Sequence, residues 1–175
     1  MNIRAQLLKA ISLATLAHAG QRRKGSDTPY VIHPIRVALT LHDAPLPDGV
    51  CRDDCLVAAI LHDILEDTQV PREQLVEQFG EPVVAIVDEL TEDKTLPKPQ
   101  RRKKMLKHCA TMSRSAQVVK LADRLDNMRD MGCMPGDFIA RICDEARVML
   151  EAMRGTCPPL ESEIAAILAY HDDDL

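Results

Sequence analysis

The chain has 175 residues, of which 46% are hydrophobic but only 2% aromatic and none Trp, so it fits one aliphatic domain able to bury about 70% of its unfolded surface. A net charge of −5 argues against a general nucleic-acid binder, and without an apolar run of about 18 residues no membrane-spanning helix is expected. Six cysteines with no CxxC spacing and an N-terminus lacking a long apolar stretch argue against secretion and leave the thiols free in a reducing cytoplasm.

Leu7, Leu8, Ile11, Leu13, Ala14 and Ala17 recur at helical spacing over residues 3–18, and Gly20 ends the run. A polar loop with Arg22, Arg23 and Lys24 leads to His33-Pro34, where proline suits the first position of a second helix reaching about residue 42. Asp53 or Asp54 can cap a helix over residues 53–66. Pro71 opens the next stretch, and short helices over residues 72–79 and 82–91 meet at Gly80. A loop then precedes a basic helix over about residues 101–112, and Ser113 or Ser115 caps a helix ending near residue 131. Pro135-Gly136 breaks the chain before a helix to about residue 154, and Pro158-Pro159 precede a last one to about residue 170. No segment alternates with period two and no repeat recurs, so the expected class is all-α, a bundle of roughly eight to ten helices. Residues 1–175 read as a single domain, with 171–175 as a frayed acidic tail.

The segment HDILED, residues 62–67, concentrates polar chemistry on an apolar helix. If that helix is continuous, His62 and Glu66 pair at four-residue spacing, as do Asp63 and Asp67, and all four project from roughly 140° of its surface. Such a cluster costs several kcal/mol to desolvate unless something pairs with it, and a divalent cation is the natural partner. Asp123 and Asn127 form a second polar stripe, with Lys120 beside them. His33, His62, Asp63 and Asp123 together make a mixed N/O set suited to a first-row divalent ion with open positions for water; manganese fits best, and iron, zinc and magnesium stay open. A bound cation lowers the pKa of water and polarises a phosphoryl oxygen, so phosphate ester or anhydride hydrolysis is the expected reaction. Glu66 and Asp67 are placed to take the water's proton or return one to the leaving group. His18, His42, His108 and His171 read as structural, and residues 98–107 as a solvated basic face. An acidic chain with local basic patches suits a small anionic ligand.

The order His33, His62-Asp63, Asp123 resembles the H…HD…D signature of the HD phosphohydrolase superfamily. QRRKGSDTPYVIHPI, AAILHDILEDT, FGEPVVAIVDELTEDKTLPK and VVKLADRLDNMRDM are similar to the hydrolase domain of RelA/SpoT alarmone enzymes, especially the free-standing small hydrolases like the metazoan SpoT homologue. The resemblance covers residues 1–155. It implies an HD-domain helical bundle and manganese-dependent removal of the 3′-pyrophosphate from ppGpp or pppGpp, giving GDP or GTP and pyrophosphate. On that resemblance His33, His62, Asp63 and Asp123 hold the metal, and Glu66 and Asp67 serve the hydrolytic water. Arg23 and Lys24 match the basic pair beside the nucleotide, Asn127 a nucleotide-contacting amide and Lys94 a phosphate-side lysine, while Tyr30 walls the pocket.

Two departures stand beside it. Asp126 occupies a position where many members carry His or Tyr, and the stretch around Phe138 to Cys143 lacks the Arg and Tyr that line the nucleotide pocket of small hydrolases, with Ile142 near the expected tyrosine. A different nucleotide, such as the 2′-phosphate of NADPH, is therefore an alternative substrate, and a non-hydrolysing alarmone sensor is a second alternative. The expected partner is a small nucleotide, with no nucleic acid and no membrane; the oligomeric state is open.

Overall fold

The computed structural model describes residues 2–173. Among the described residues are ten α-helices, one 3₁₀ turn and no strand; one isolated antiparallel bridge joins Arg22 to Pro29. The helices are α1 (Ile3–Ala17), α2 (Ile32–Asp43), α3 (Arg52–Leu61), α4 (Ile64–Asp67), α5 (Arg72–Phe79), α6 (Glu81–Leu90), α7 (Lys98–His108), α8 (Arg114–Arg129), α9 (Gly136–Ala152) and α10 (Pro158–Asp173), with the 3₁₀ turn at Met131–Cys133. The all-α class read from the sequence is the class observed.

α3 is the central rod. Every residue from Cys55 to Leu61 is buried, as expected of a helix apolar on all sides, and it packs against α1, α2, α6 and α8. α8 is the second core helix, touching α2, α3, α6, α9 and α10; it buries Val118, Val119, Leu121, Ala122, Leu125 and Met128. Its start is set by Ser113, whose hydroxyl accepts from the Ala116 N–H at 3.2 Å. With almost no aromatic side chains, the core is closed by aliphatic groups and by Met105, Met112, Met128, Met131, Met149 and Met153.

Several boundaries differ from those expected. The helix predicted over residues 53–66 is broken: α3 stops at Leu61, His62 and Asp63 form a turn with Asp63 at φ −99° and ψ 0°, and α4 resumes at Ile64. The His62 ring Nδ1 bonds the Ala59 carbonyl at 2.7 Å, a side-chain contact that competes with the backbone ladder. Asp53 and Asp54 lie in the first turn of α3 rather than at its cap, which is Cys51; there their charges still favour the helix N-terminus. α2 begins before His33, so Pro34 sits inside the first turn, where its missing N–H costs nothing. α7 begins at Lys98, with Pro99 tolerated in its first turn.

α10 continues past Tyr170 through Asp173, with Asp172 paired to Arg147, so the acidic tail is helical up to there; residues 174 and 175 lie outside the described residues. No helix among the described residues is long and apolar enough to cross a membrane, and Cys51, Cys55, Cys109, Cys143 and Cys157 are all free thiols.

Candidate active site

Three chain segments far apart in sequence meet beside the core. The first turn of α2 carries His33, whose backbone N–H bonds the Tyr30 carbonyl at 2.9 Å; the α3–α4 turn carries His62 and Asp63; the middle of α8 carries Asp123. His33, His62 and Asp123 are buried, and one ligand atom from each lies within 4.8 Å of the others. His33 Nε2 is 3.1 Å from Asp123 Oδ1 and 3.9 Å from Asp63 Oδ2. His62 Nε2 is 2.9 Å from Asp63 Oδ2 and 3.7 Å from Asp123 Oδ1.

The tautomers follow from the outer contacts. His62 Nδ1 donates to the Ala59 carbonyl, and His33 Nδ1 donates to Asp126 Oδ2 at 2.6 Å, so each Nε2 turns a lone pair inward. Among the described residues His62 Nε2 is buried with no hydrogen-bond partner. Two imidazole lone pairs and the Asp123 carboxylate thus converge on one buried point, with half-buried Asp63 at its edge, an arrangement that repels itself unless positive charge stands at its centre. The electrostatics show the same demand for positive charge: burial opposes protonation of His62, yet the Asp63 and Asp123 carboxylates outweigh it and push its pKa up to about 9, so that without an ion a proton on Nε2 supplies that charge. Burial likewise works against the charged forms of Asp63 and Asp123, and the cations beside them, His62 for the first and Lys120 for the second, hold both carboxyls well below their ordinary range. The donor set fits a divalent metal ion.

Around this centre the other predicted residues take up distinct places. Tyr30 donates its hydroxyl to Asp63, and burial together with that carboxylate keeps the phenol protonated. Lys120 donates to Asp123 Oδ2 at 3.0 Å, and Asn127 donates to Asp123 Oδ1 at 2.6 Å. Asn127 also accepts from Arg23 at 3.0 Å, while Arg23 Nε reaches Asp130 at 3.2 Å. The guanidinium of Arg23 is therefore held in place along one wall. Lys24 lies with its ammonium 3.6 Å from the centre of the Phe138 ring, and the Arg141 guanidinium lies 4.8 Å from that centre, both cation–π contacts.

On the opposite side, Glu66 Oε2 accepts from the Glu92 N–H at 3.0 Å, and burial raises its carboxyl above the ordinary glutamate value despite that bond. Asp67 forms a close ion pair with Lys94, which also stands 3.8 Å from Glu66. Lys94 is thus paired with the two acids.

All the predicted residues except His62 line one cavity of about 410 Å³, within the usual range for a small-ligand site; His62 lies behind it. Its basic wall is made by Lys98, Arg101, Arg102, Arg124 and Arg141, all but Lys98 paired with Glu92 or Glu145, which line the cavity too. That corrects two expectations. The face read as solvated over residues 98–107 is exposed at Lys98, Lys103, Lys104 and Lys107, yet Lys98, Arg101 and Arg102 also line the cavity, and their spacing of three and four places them on one side of α7. The 138–143 stretch, read as lacking the Arg and Tyr that line the nucleotide pocket of small hydrolases, supplies Arg141 to the cavity along with Phe138 and Ile142. Asp126, read only as a departure, is buried against His33; its position one turn from Asp123 is the one sequence signal it carried.

The model of the HD domain matches residues 10–147 of the chain. The chain belongs to the HD domain family. This HD domain is 39% identical over 167 residues to the human protein named guanosine-3′,5′-bis(diphosphate) 3′-pyrophosphohydrolase MESH1, and 38% identical to the Xenopus tropicalis protein of the same name, with 91% of each chain covered in both comparisons. Among solved structures it is similar to one described as a metazoan orthologue of SpoT that hydrolyses ppGpp and plays a role in starvation responses, with a TM-score of 0.86, 32% identity, and 95% of this chain and 96% of that one covered.

Proposed function

We propose that this HD domain is a manganese-dependent hydrolase that removes the 3′-pyrophosphate from ppGpp or pppGpp, leaving GDP or GTP. The observation that carries the reading is the buried convergence of His33 Nε2, His62 Nε2 and Asp123, with half-buried Asp63 beside both rings, at a cavity that Lys and Arg also line. The names of the relatives and of the solved neighbour support the substrate class.

His33, His62, Asp63 and Asp123 would hold the ion. When bound, that ion supplies Lewis acidity toward a phosphoryl oxygen and makes water more acidic. The chain's own residues do the rest. Glu66, whose carboxyl burial raises above the ordinary glutamate value, takes a proton from the water that attacks the 3′ phosphorus. The bond from that phosphorus to ribose O3′ breaks, O3′ receives a proton from the Glu66-Asp67 pair, and pyrophosphate carries away the water's oxygen. Arg23 and Asn127 line the nucleotide side, Tyr30 fixes the Asp63 carboxylate, and Lys24 and Lys94 offset phosphate charge with the basic wall. A nucleotide substrate and free thiols suit a reducing cytoplasm.

A nucleotide panel tests the reading. Purified, manganese-loaded protein is expected to convert ppGpp to GDP and pyrophosphate faster than it dephosphorylates NADPH. Preferential release of phosphate from NADPH would transfer the reading to the alternative substrate, and tight ppGpp binding without turnover would favour a sensor.

A further inference from the structure

We infer that Asp126 is a positioning residue that fixes the ring and tautomer of His33 so that Nε2 faces the metal centre. The inference rests on the metal-site reading above and gives the contact between Asp126 and His33 a consequence for metal affinity. Asp126 is 1% exposed, a degree of burial rare for a carboxylate unless it is fully paired. Its pairing is complete. Oδ2 accepts from His33 Nδ1 at 2.6 Å, while Arg36, on the next turn of α2, forks onto it through Nε to Oδ1 at 2.7 Å and Nη2 to Oδ2 at 2.9 Å.

The fork matters because it leaves Asp126 no freedom to turn away from the ring. Arg36 Nη2 also reaches Asp130, and Asp130 accepts from Arg23 Nε at 3.2 Å, so the clamp is anchored from the α1–α2 loop and from two consecutive turns at the end of α8. A carboxylate on the far nitrogen of a ligating imidazole both selects the Nε2 lone pair and makes that lone pair more basic. Without it the buried ring could place its proton on Nε2, which points at Asp123 3.1 Å away, and the site would hold a proton where the ion belongs.

The test uses manganese alone as the probe. Mn²⁺ binding to the metal-free chain is measured by calorimetry for wild type, Asp126→Asn and Asp126→Ala, and the ¹⁵N shifts of the His33 ring report its tautomer. Asp126→Ala is expected to weaken Mn²⁺ binding about 10- to 100-fold and to move the His33 proton toward Nε2. Asp126→Asn, nearly isosteric and still offering an acceptor oxygen, is expected to fall between, which keeps the test open should the alanine variant unfold. A merely structural role would lower the unfolding temperature yet leave Mn²⁺ affinity and the ¹⁵N shifts of the folded protein at wild-type values, and that result would overturn the inference while the metal site stood. A wild-type chain that took up no Mn²⁺ would overturn the metal-site reading and this inference together.

Discussion

Asp123 Oδ1 lies 3.1 Å from His33 Nε2, bringing the middle of α8 against the first turn of α2, two helices that pack directly on one another. When the neutral ring gives its one proton to Asp126, the contact sets an acceptor against a lone pair. A shared cation resolves the conflict.

Asp63 faces both histidines. Asp63→Asn removes the charge but keeps the shape. It is expected to weaken Mn²⁺ binding by more than about 100-fold, beyond the upper end of what losing a supporting contact costs, and to abolish turnover. Calorimetric titration beside an activity assay checks both.

Glu66 trades stability for chemistry. Burial raises its carboxyl pKa in the folded chain, so its favourable contribution is fully present below the ordinary glutamate pKa and is lost as pH rises through the folded value. In metal-free protein Glu66→Gln should therefore be more stable than wild type at pH 7 and no more stable at about pH 4, near the unfolded pKa. Denaturant titrations at the two pH values measure this, while the same variant loses turnover.

Arg141 belongs to the basic wall of the cavity, its guanidinium held by Glu145 at 2.9 Å. Losing one charged hydrogen bond to phosphate costs about 1.5–3 kcal/mol, so Arg141→Ala should raise KM for ppGpp roughly 10- to 100-fold while Mn²⁺ affinity stays unchanged. Steady-state kinetics with parallel metal titration separates the two effects. Weakened metal binding would contradict a role confined to that wall.

Leu121 is fully buried in α8, on the helix that carries Asp123. Leu121→Ala should destabilise the fold by about 2–5 kcal/mol, read as a lower urea midpoint with an unchanged slope.

The metal centre was largely legible from residue types and spacing, because His33, His62, Asp63 and Asp123 are unusual company for the apolar runs around them. Helix placement was legible where Gly80, Pro71 and Ser113 punctuate the chain. The break at His62-Asp63 was not, since neither residue breaks helices by itself and the turn depends on the His62 ring bonding the Ala59 carbonyl. α7 is polar on most of its surface, so periodicity could not tell which face turns toward the cavity. Its packing on α9 brings Lys98, Arg101 and Arg102 to the cavity lining. Asp126 escaped for a similar reason: its meaning lies in His33 and Arg36, on another helix.

Hydrolysis of ppGpp by the manganese-loaded chain in ¹⁸O-labelled water tests the central claim most directly. Attack at the 3′ phosphorus predicts one ¹⁸O in pyrophosphate, none in GDP, and no reaction with Asp63→Asn. Label in GDP, or no product from fully metal-loaded wild type, would contradict it.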